Sequence, residues 1–461
     1  MTTFDDRHAK VLFELPDPAG QRRLRDVTCL RGAREVLFTR KGDKILKLAD
    51  IHWSKMVVNS QIPNPKTVAR QALVVGAGIG GLSAAIALRK AGWDVRIFER
   101  STSLRELGFG LGLAPNAMAA LGDLGVAETV LARGFEPARG EMRRMDGTVL
   151  KRATIPRGIL GGPFVVAMRT ALYGALLDAA GIDTVTAGSE ATGFTQRGRR
   201  VTLHLANGTS AEGDLLVGAD GVRSIIRRQL HQNEPPARPS RIVSVRGAVD
   251  GVISHLGGVD GLYYLGPGVE SAHIRASATG IYWFMAVAEE LVPESVRLKA
   301  DTTRGEAAAS ALLAHLAPKF DDTFRAITSA TSECRYDGVL VDRDPLPRWG
   351  DGVVTLIGDA AHPLLPHTGQ GAAQAIVDAV TLARMLAQHV DIELTLRAFE
   401  AERLPKTAAL VRQGRRTARF MRIRNPVACY VREAAVRIAP LKSVMKLYVR
   451  VNRRAGTAVS S

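Results

Sequence analysis

The sequence predicts an α/β protein: a parallel βαβ unit opened by a glycine-rich turn, an inserted mixed or antiparallel β-sheet domain, and a helical C-terminal tail. Three observations predict it. The apolar run Ala72-Leu73-Val74-Val75 reads as a buried parallel strand, followed at once by Gly76-Ala77-Gly78-Ile79-Gly80-Gly81 and a helical stretch from Leu82 to Lys90. Trp93 to Phe98 forms a second strand that closes at Glu99. Further on, Gly261 to Leu265 and Gly280 to Val287 alternate and carry aromatics, with the period of an antiparallel sheet.

At 461 residues the chain exceeds the size at which one hydrophobic core usually stops growing, so two or three units are expected. Its 46% hydrophobic and 23% charged residues are those of a globular protein, not a fibrous or disordered one. Residues 1–68 read as a polar N-terminal extension, poorly ordered or a small appended element, ending in the linker Gln61-Ile62-Pro63-Asn64-Pro65. Met56 lies just before that linker, and a natural start there remains open. Residues 69–239 and 346–402 form the dinucleotide-binding domain, with part of a second sheet around 140–165. That second sheet, in a substrate domain, occupies 240–345. The parallel layer is revisited by Leu215-Leu216-Val217, by Val353 to Ile357, and by the helical stretch Arg169 to Ala180.

The net charge of +17 is unevenly spread: +5 over residues 1–68, −2 over 69–402 and +14 over 403–461. A near-neutral body with a basic tail is not the footprint of a nucleic-acid-binding domain. In the tail Leu441, Val444, Met445 and Tyr448 recur at helical spacing beside a stripe of Lys442, Lys446, Arg450 and Arg453. Such a basic amphipathic helix either docks on the body or touches anionic lipid from outside. Cys29, Cys334 and Cys429 are too scattered for a disulfide framework or a cysteine zinc site. With no signal peptide and no apolar span of about 20 residues, a cytoplasmic protein is expected.

The chemistry begins at the glycines. Gly76 allows the tight turn out of the strand, Gly78 lets backbone approach a pyrophosphate, and Gly81 lets the helix pack on the sheet, with Gly80 counted among the cofactor-binding glycines. Helix N–H groups and the positive dipole end receive the phosphate charge. Glu99, about 20 residues on, stands where a carboxylate accepts from a ribose hydroxyl. Arg100 follows it. This is a Rossmann-like unit, and on its own it does not separate FAD from NAD.

Two later segments do. Gly218-Ala219-Asp220-Gly221-Val222-Arg223-Ser224 follows one strand. Gly358-Asp359-Ala360-Ala361-His362-Pro363 follows another and leads into Leu365-Pro366-His367-Thr368-Gly369-Gln370-Gly371. With these three fingerprints in order, residues from about Ala72 to Pro405 resemble the class A FAD-dependent monooxygenases. That group includes the p-hydroxybenzoate, salicylate and urate hydroxylases and the ubiquinone-pathway hydroxylases. The resemblance implies that Asp359 accepts from the ribityl hydroxyls of FAD and that Arg169 reaches the FAD. It ties Asp220 and Arg223 to both FAD and the nicotinamide donor. Backbone N–H groups of the loop from Pro366 to Gly371, with Gly369 and Gln370 in it, would face the isoalloxazine, where charge collects on reduction. Positions that the family often fills with Asn and an acidic residue are Ala373 and Val377 here, so no side-chain role is assigned at 373.

The resemblance further implies reduction of FAD by NADH or NADPH, reaction with O2 to give a C4a-hydroperoxyflavin, and hydroxylation or epoxidation of an aromatic or other electron-rich small molecule. No second strand-GxGxxG-helix unit is present for the nicotinamide. Two alternatives stay open on the sequence: an FAD-dependent reductase without oxygen insertion, and a membrane-associated flavoprotein that binds lipid through its tail. His362 and His367, five apart without a third ligand, are read as loop residues near the cofactor and not as a metal site. Trp283 is placed on a strand of the second sheet, either in a packed aromatic cluster or lining the substrate pocket.

Overall fold

The computed structural model describes residues 70–104, 108–156, 158–298 and 305–440, with Val449 and three short strands before residue 47. Residues 1–68 and 69–461 are two separate compact units. In the first, Val27–Cys29, Val36–Thr39 and Ile45–Leu46 pair as a small antiparallel sheet. The second holds everything else.

Its parallel sheet has five strands in the order Val185–Thr186, Asp94–Phe98, Gln71–Val75, Leu215–Gly218, Val354–Leu356. The central strands are apolar on both faces because helices cover both, as parallel sheets require. Helix Ile79–Lys90 leaves the first strand through the glycine turn. A Cβ at Gly81 would stand 1.8 Å from the Gly76 carbonyl oxygen, so only glycine lets this helix seat on its own strand. A Cβ at Gly80 would meet the Ala375 methyl at 3.3 Å, which brings helix Gly371–Gln388 alongside.

The other large sheet has seven strands in the order Glu333–Asp342, Arg238–Asp250, Gly280–Ala288, Val269–Arg275, Gly261–Gly266, Arg139–Arg144, Val149–Thr154. All pairs are antiparallel except Gly261–Gly266 with Arg139–Arg144, so the sheet is mixed. Strand alternation divides its faces. Ile281, Trp283, Met285 and Val287 pack against Leu312, Phe320 and Phe324 from the helices behind. On the other face Tyr282 and Phe284 meet Phe109, Phe164 and Met168, while Ala286 meets Leu365 and Ala418.

Trp283 therefore does not line the pocket. It is fully buried on the far face, stacked on His273 and donating from Nε1 to Thr331 Oγ1 at 2.9 Å.

The chain as far as Ile438 belongs to the body. A boundary at residue 403 falls inside one helix, Ile392–Met421, and a second, Pro426–Ile438, lies on the mixed sheet. Arg144 pairs with Glu433 at 2.5 Å, and Lys151 donates to the Val436 and Ala439 carbonyls at the helix end. The apolar stripe Leu441, Val444, Met445 and Tyr448 and the basic stripe beside it lie outside the described residues. No described helix is long and apolar enough to cross a membrane.

Candidate active site

The three fingerprints converge at the C-terminal ends of the parallel strands, where ligands bind in open α/β sheets. Gly76, with φ +99°, has the Ala219 carbonyl oxygen 2.6 Å from where a Cβ would be, so the glycine turn and the Asp220 segment touch. Gly78 caps helix Ile79–Lys90 with no side-chain hydrogen bond and with open space around its missing Cβ. Glu99 closes the turn: Oε2 accepts from Ala77 N and Oε1 from Ser101 N, each at 2.8 Å. Arg100 and Arg223 are exposed.

Asp220 acts first on its own helix, Oδ2 accepting from Ile225 N at 2.7 Å. Its Oδ1 is buried without a partner, an orphan that a ligand hydroxyl could satisfy. Burial pushes the Asp220 carboxyl up against the Ser224 hydroxyl and the Ile225 N–H, which favour the charged form.

Gly358–Ala360 forms a single 3-10 turn that presents Asp359 to the cleft, its side chain solvent-accessible. Protein surrounds that carboxylate and raises its pKa, opposed by the charges of His362 and Arg169. Arg169 opens helix Arg169–Ala180, its own N–H donating to Phe109 O at 2.7 Å. After the 3-10 turn Pro366–Thr368, Gly369 takes φ +63° and helix Gly371–Gln388 starts with no side-chain cap. A Cβ at Gly371 would lie 4.0 Å from Asp359 Oδ1, so this helix N-terminus and the carboxylate share one corner. Gln370 points inward instead, its Oε1 accepting from Asn116 Nδ2 at 3.2 Å and Gln374 Nε2 at 3.0 Å.

Open glycine backbone, a free helix N-terminus, the Asp220 orphan and an accessible Asp359 together fit a dinucleotide. The residues that could hold FAD are thus the sequence-derived ones, with Gln370 contributing backbone alone.

Sequence reasoning missed what stands behind them. Asp378, fully buried, accepts from Gly358 N at 2.9 Å and sits 2.6 Å from His362 Nε2 on the same oxygen, while its Oδ1 accepts from Arg403 Nε at 2.7 Å. Burial alone would raise the Asp378 carboxyl, but His362, Arg403 and the Gly358 N–H outweigh it and hold it low. Arg227 grips the same turn through the Ala360 and Ala361 carbonyls at 2.8 and 2.7 Å and pairs with Glu234. Asp378, the one acidic residue in helix 371–388, was the available signal. His362 and His367 are both loop residues, and both are tied to carboxylates: His367 Nδ1 lies 2.7 Å from Glu270 Oε1, and Tyr263 OH donates to the same carboxylate.

On the sheet face that meets this loop, Arg246 and Asp337 pair at 2.6 Å beside Tyr282, whose phenol burial pushes up to about 12. Adjoining them is a cavity of about 540 Å³, whose surface is almost wholly apolar although Arg139, Glu141, Lys151 and Arg432 are among its lining residues. Its floor is the mixed sheet, and its roof is Phe420 with Ala435, Val436 and Ala439 of the last described helix. Phe164 and Ile274 line the cavity and also belong to the Tyr282 cluster.

A family model described as the FAD binding domain matches residues 69–414. The chain belongs to that family. It is 33% identical over 371 residues to an aurachin C monooxygenase/isomerase of Stigmatella aurantiaca, covering 79% of this chain and 93% of that protein. A 3-hydroxybenzoate 6-hydroxylase of Aquipseudomonas alcaligenes is 31% identical, over 76% of this chain and 89% of the relative. Among solved structures, Klebsiella pneumoniae HpxO complexed with FAD and uric acid superposes with a TM-score of 0.76 at 26% identity, covering 84% and 97% of the two chains. The fingerprint resemblance therefore holds: this is a flavoprotein monooxygenase of the aromatic-hydroxylase group, and FAD is its cofactor.

Proposed function

We propose that this monooxygenase uses NADH or NADPH and O2 to hydroxylate an electron-rich aromatic compound bound in the 540 Å³ cavity. The observation that carries this is the cavity's continuity, through Phe164 and Ile274, with the sheet face that meets the Pro366–Gly371 loop. It is apolar and within the size range of small-molecule sites. An aromatic ring there would be desolvated, as oxygen transfer without wasteful release of peroxide requires.

In this reading Gly76, Gly78, Gly80 and Gly81 take the pyrophosphate of FAD on the helix N-terminus, with Glu99 and Arg100 toward the adenosine side. Asp359 accepts from the ribityl chain, Asp220 and Arg169 hold the remaining polar groups, and Arg223, exposed beside Asp220, meets the visiting nicotinamide cofactor. FAD supplies the redox chemistry and oxygen activation. The uncapped N-terminus of the helix that starts at Gly371 stabilises negative charge that develops next to the loop. Asp378, His362, Arg403 and Arg227 keep the Gly358–Asp359 turn in place from behind.

The test is turnover of the purified FAD-containing protein with labelled oxygen. A panel of hydroxylated aromatics should stimulate NADH or NADPH oxidation, with one atom from ¹⁸O2 appearing in the product. Stimulation across the panel without incorporation would reject oxygen insertion.

A further inference from the structure

The roof of the cavity contains a cation whose hydrogen-bonding capacity the fold leaves partly unused. Arg432, in helix Pro426–Ile438, is only 3% exposed and lines the cavity. Its Nη2 donates to the Gly266 carbonyl at 2.9 Å, and its guanidinium carbon stands 5.8 Å from the centre of the Phe420 ring. Nε and Nη1 have no hydrogen-bond partner among the described residues. A buried guanidinium with two unmatched nitrogens is unfavourable unless something completes it.

Of the other charges at the cavity, Arg139 is exposed and the rest are engaged. Glu141 is held by Arg143 and Arg152, and Lys151 by the carbonyls that end the roof helix. Glu433, next to Arg432, is taken by Arg144. Arg432 is also close enough to act electrostatically on Tyr263, whose hydroxyl bonds Glu270 and through it meets His367 of the cofactor loop. The cation therefore stands on the loop side of an apolar chamber. From Arg432 to Ala439 the roof runs for about 10 Å of helix axis, longer than one aromatic ring.

We propose that Arg432 is a specificity-determining residue that anchors the anionic oxygen of the substrate, and that the substrate is an aromatic carboxylate or phenolate carrying an extended hydrocarbon part along the roof helix. Arg432 can select a substrate only if the cavity is the substrate site, as proposed above. Nε and Nη1 are closed off by their neighbours, so the Arg432 side chain turns toward the cavity to meet the anion, while the hydrocarbon replaces water against Val436, Ala439 and Ile155. The C-terminal helix, read from the sequence as a basic tail, is on this account a wall of the active site.

The test is calorimetric binding to the oxidised FAD holoenzyme, with no nicotinamide present. The probes are 4-hexylsalicylate, its methyl ester, and salicylate. The acid should bind at least tenfold more tightly than the ester, and the hexyl chain should add roughly fourfold per buried methylene, at ~0.8 kcal/mol each. Arg432→Met should abolish the preference for the acid while ester binding stays within about threefold, and Arg432→Lys should restore part of it. No acid preference in the unaltered protein, or an undiminished one in Arg432→Met, would overturn the proposal. The acid-to-ester comparison on unaltered protein stands even if Arg432→Met loses FAD. Acid preference that depends on Arg432, without oxygen incorporation into any probe, would support the anchor and count against the monooxygenase reading of the cavity. Incorporation into acid and ester alike would do the reverse.

Discussion

Asp378 Oδ2 stands 2.6 Å from His362 Nε2, with both side chains shut away from solvent beneath the turn that presents Asp359. The same oxygen takes the Gly358 N–H, so one carboxylate fixes both the start of the turn and the residue that follows it. Arg403 balances its charge from the long C-terminal helix.

Replacing Asp378 by Asn should leave Arg403 buried without its counter-charge, at a cost of about 3–5 kcal/mol. The expected outcome is a lower melting temperature and protein purified with little FAD, read from the ratio of flavin to protein absorbance. A variant that keeps full flavin and an unchanged melting temperature would show that the turn does not depend on this carboxylate.

Two glycines of the same turn should behave differently. Gly81→Ala drives a methyl into the Gly76 carbonyl and should destabilise the whole unit by about 3 kcal/mol or more. Gly78→Ala meets nothing in the protein and has an ordinary φ of −74°, so the apoprotein should melt as before while FAD affinity falls. Urea unfolding of both apoproteins, with FAD titration of the second, separates the roles.

Although its side chain reaches solvent, Asp359 is held at a raised pKa, chiefly by desolvation from the protein around its carboxylate, so its ionised form is less favourable folded than unfolded. That penalty is absent below the unfolded pKa, near 3.8, and is fully present above the folded one. Asp359→Asn should therefore stabilise the apoprotein near neutral pH, lose that advantage toward pH 4, and bind FAD more weakly throughout. Apoprotein melting curves at pH 4.5 and 7.5 check the sign.

His273, enclosed by Tyr264, Trp283 and Phe324, has its pKa lowered by burial from 6.5 to about 3. The unfolded chain takes up a proton below pH 6.5 that the folded one refuses. Its contribution is thus present above pH 6.5 and is lost as pH falls toward 3, at up to about 1.4 kcal/mol per unit. His273→Phe should flatten the stability profile between pH 6.5 and 4.5 in urea titrations, and an unchanged slope would discount this residue.

The parallel unit was legible because its signals are local. A strand followed by Gly76 to Gly81, the carboxylate at Glu99, and the turn at Gly358-Asp359 each declare backbone geometry within a few residues. Helix Arg169–Ala180 and the strands around Leu216 and Thr355 followed from apolar runs of the right length. Trp283 was ambiguous because a strand shows which residues share a face but not which face meets the cofactor loop. Gln370 was placed near the flavin by its motif, yet its side chain turns to Asn116 and Gln374, partners that the sequence does not connect to it.

By itself the sequence determined the fold class, the FAD family and the glycine turns at which the cofactor site is proposed, since glycine turns and helix starts are encoded by neighbouring residues. Only the tertiary structure decided what supports and closes that site. Asp378 with Arg403, Arg227 with the Ala360 carbonyl, and Arg432 over the mixed sheet are contacts between residues 25 to 166 positions apart. Such pairings arise from how layers stack and where a buried charge must find its partner, and no local pattern in the chain records them.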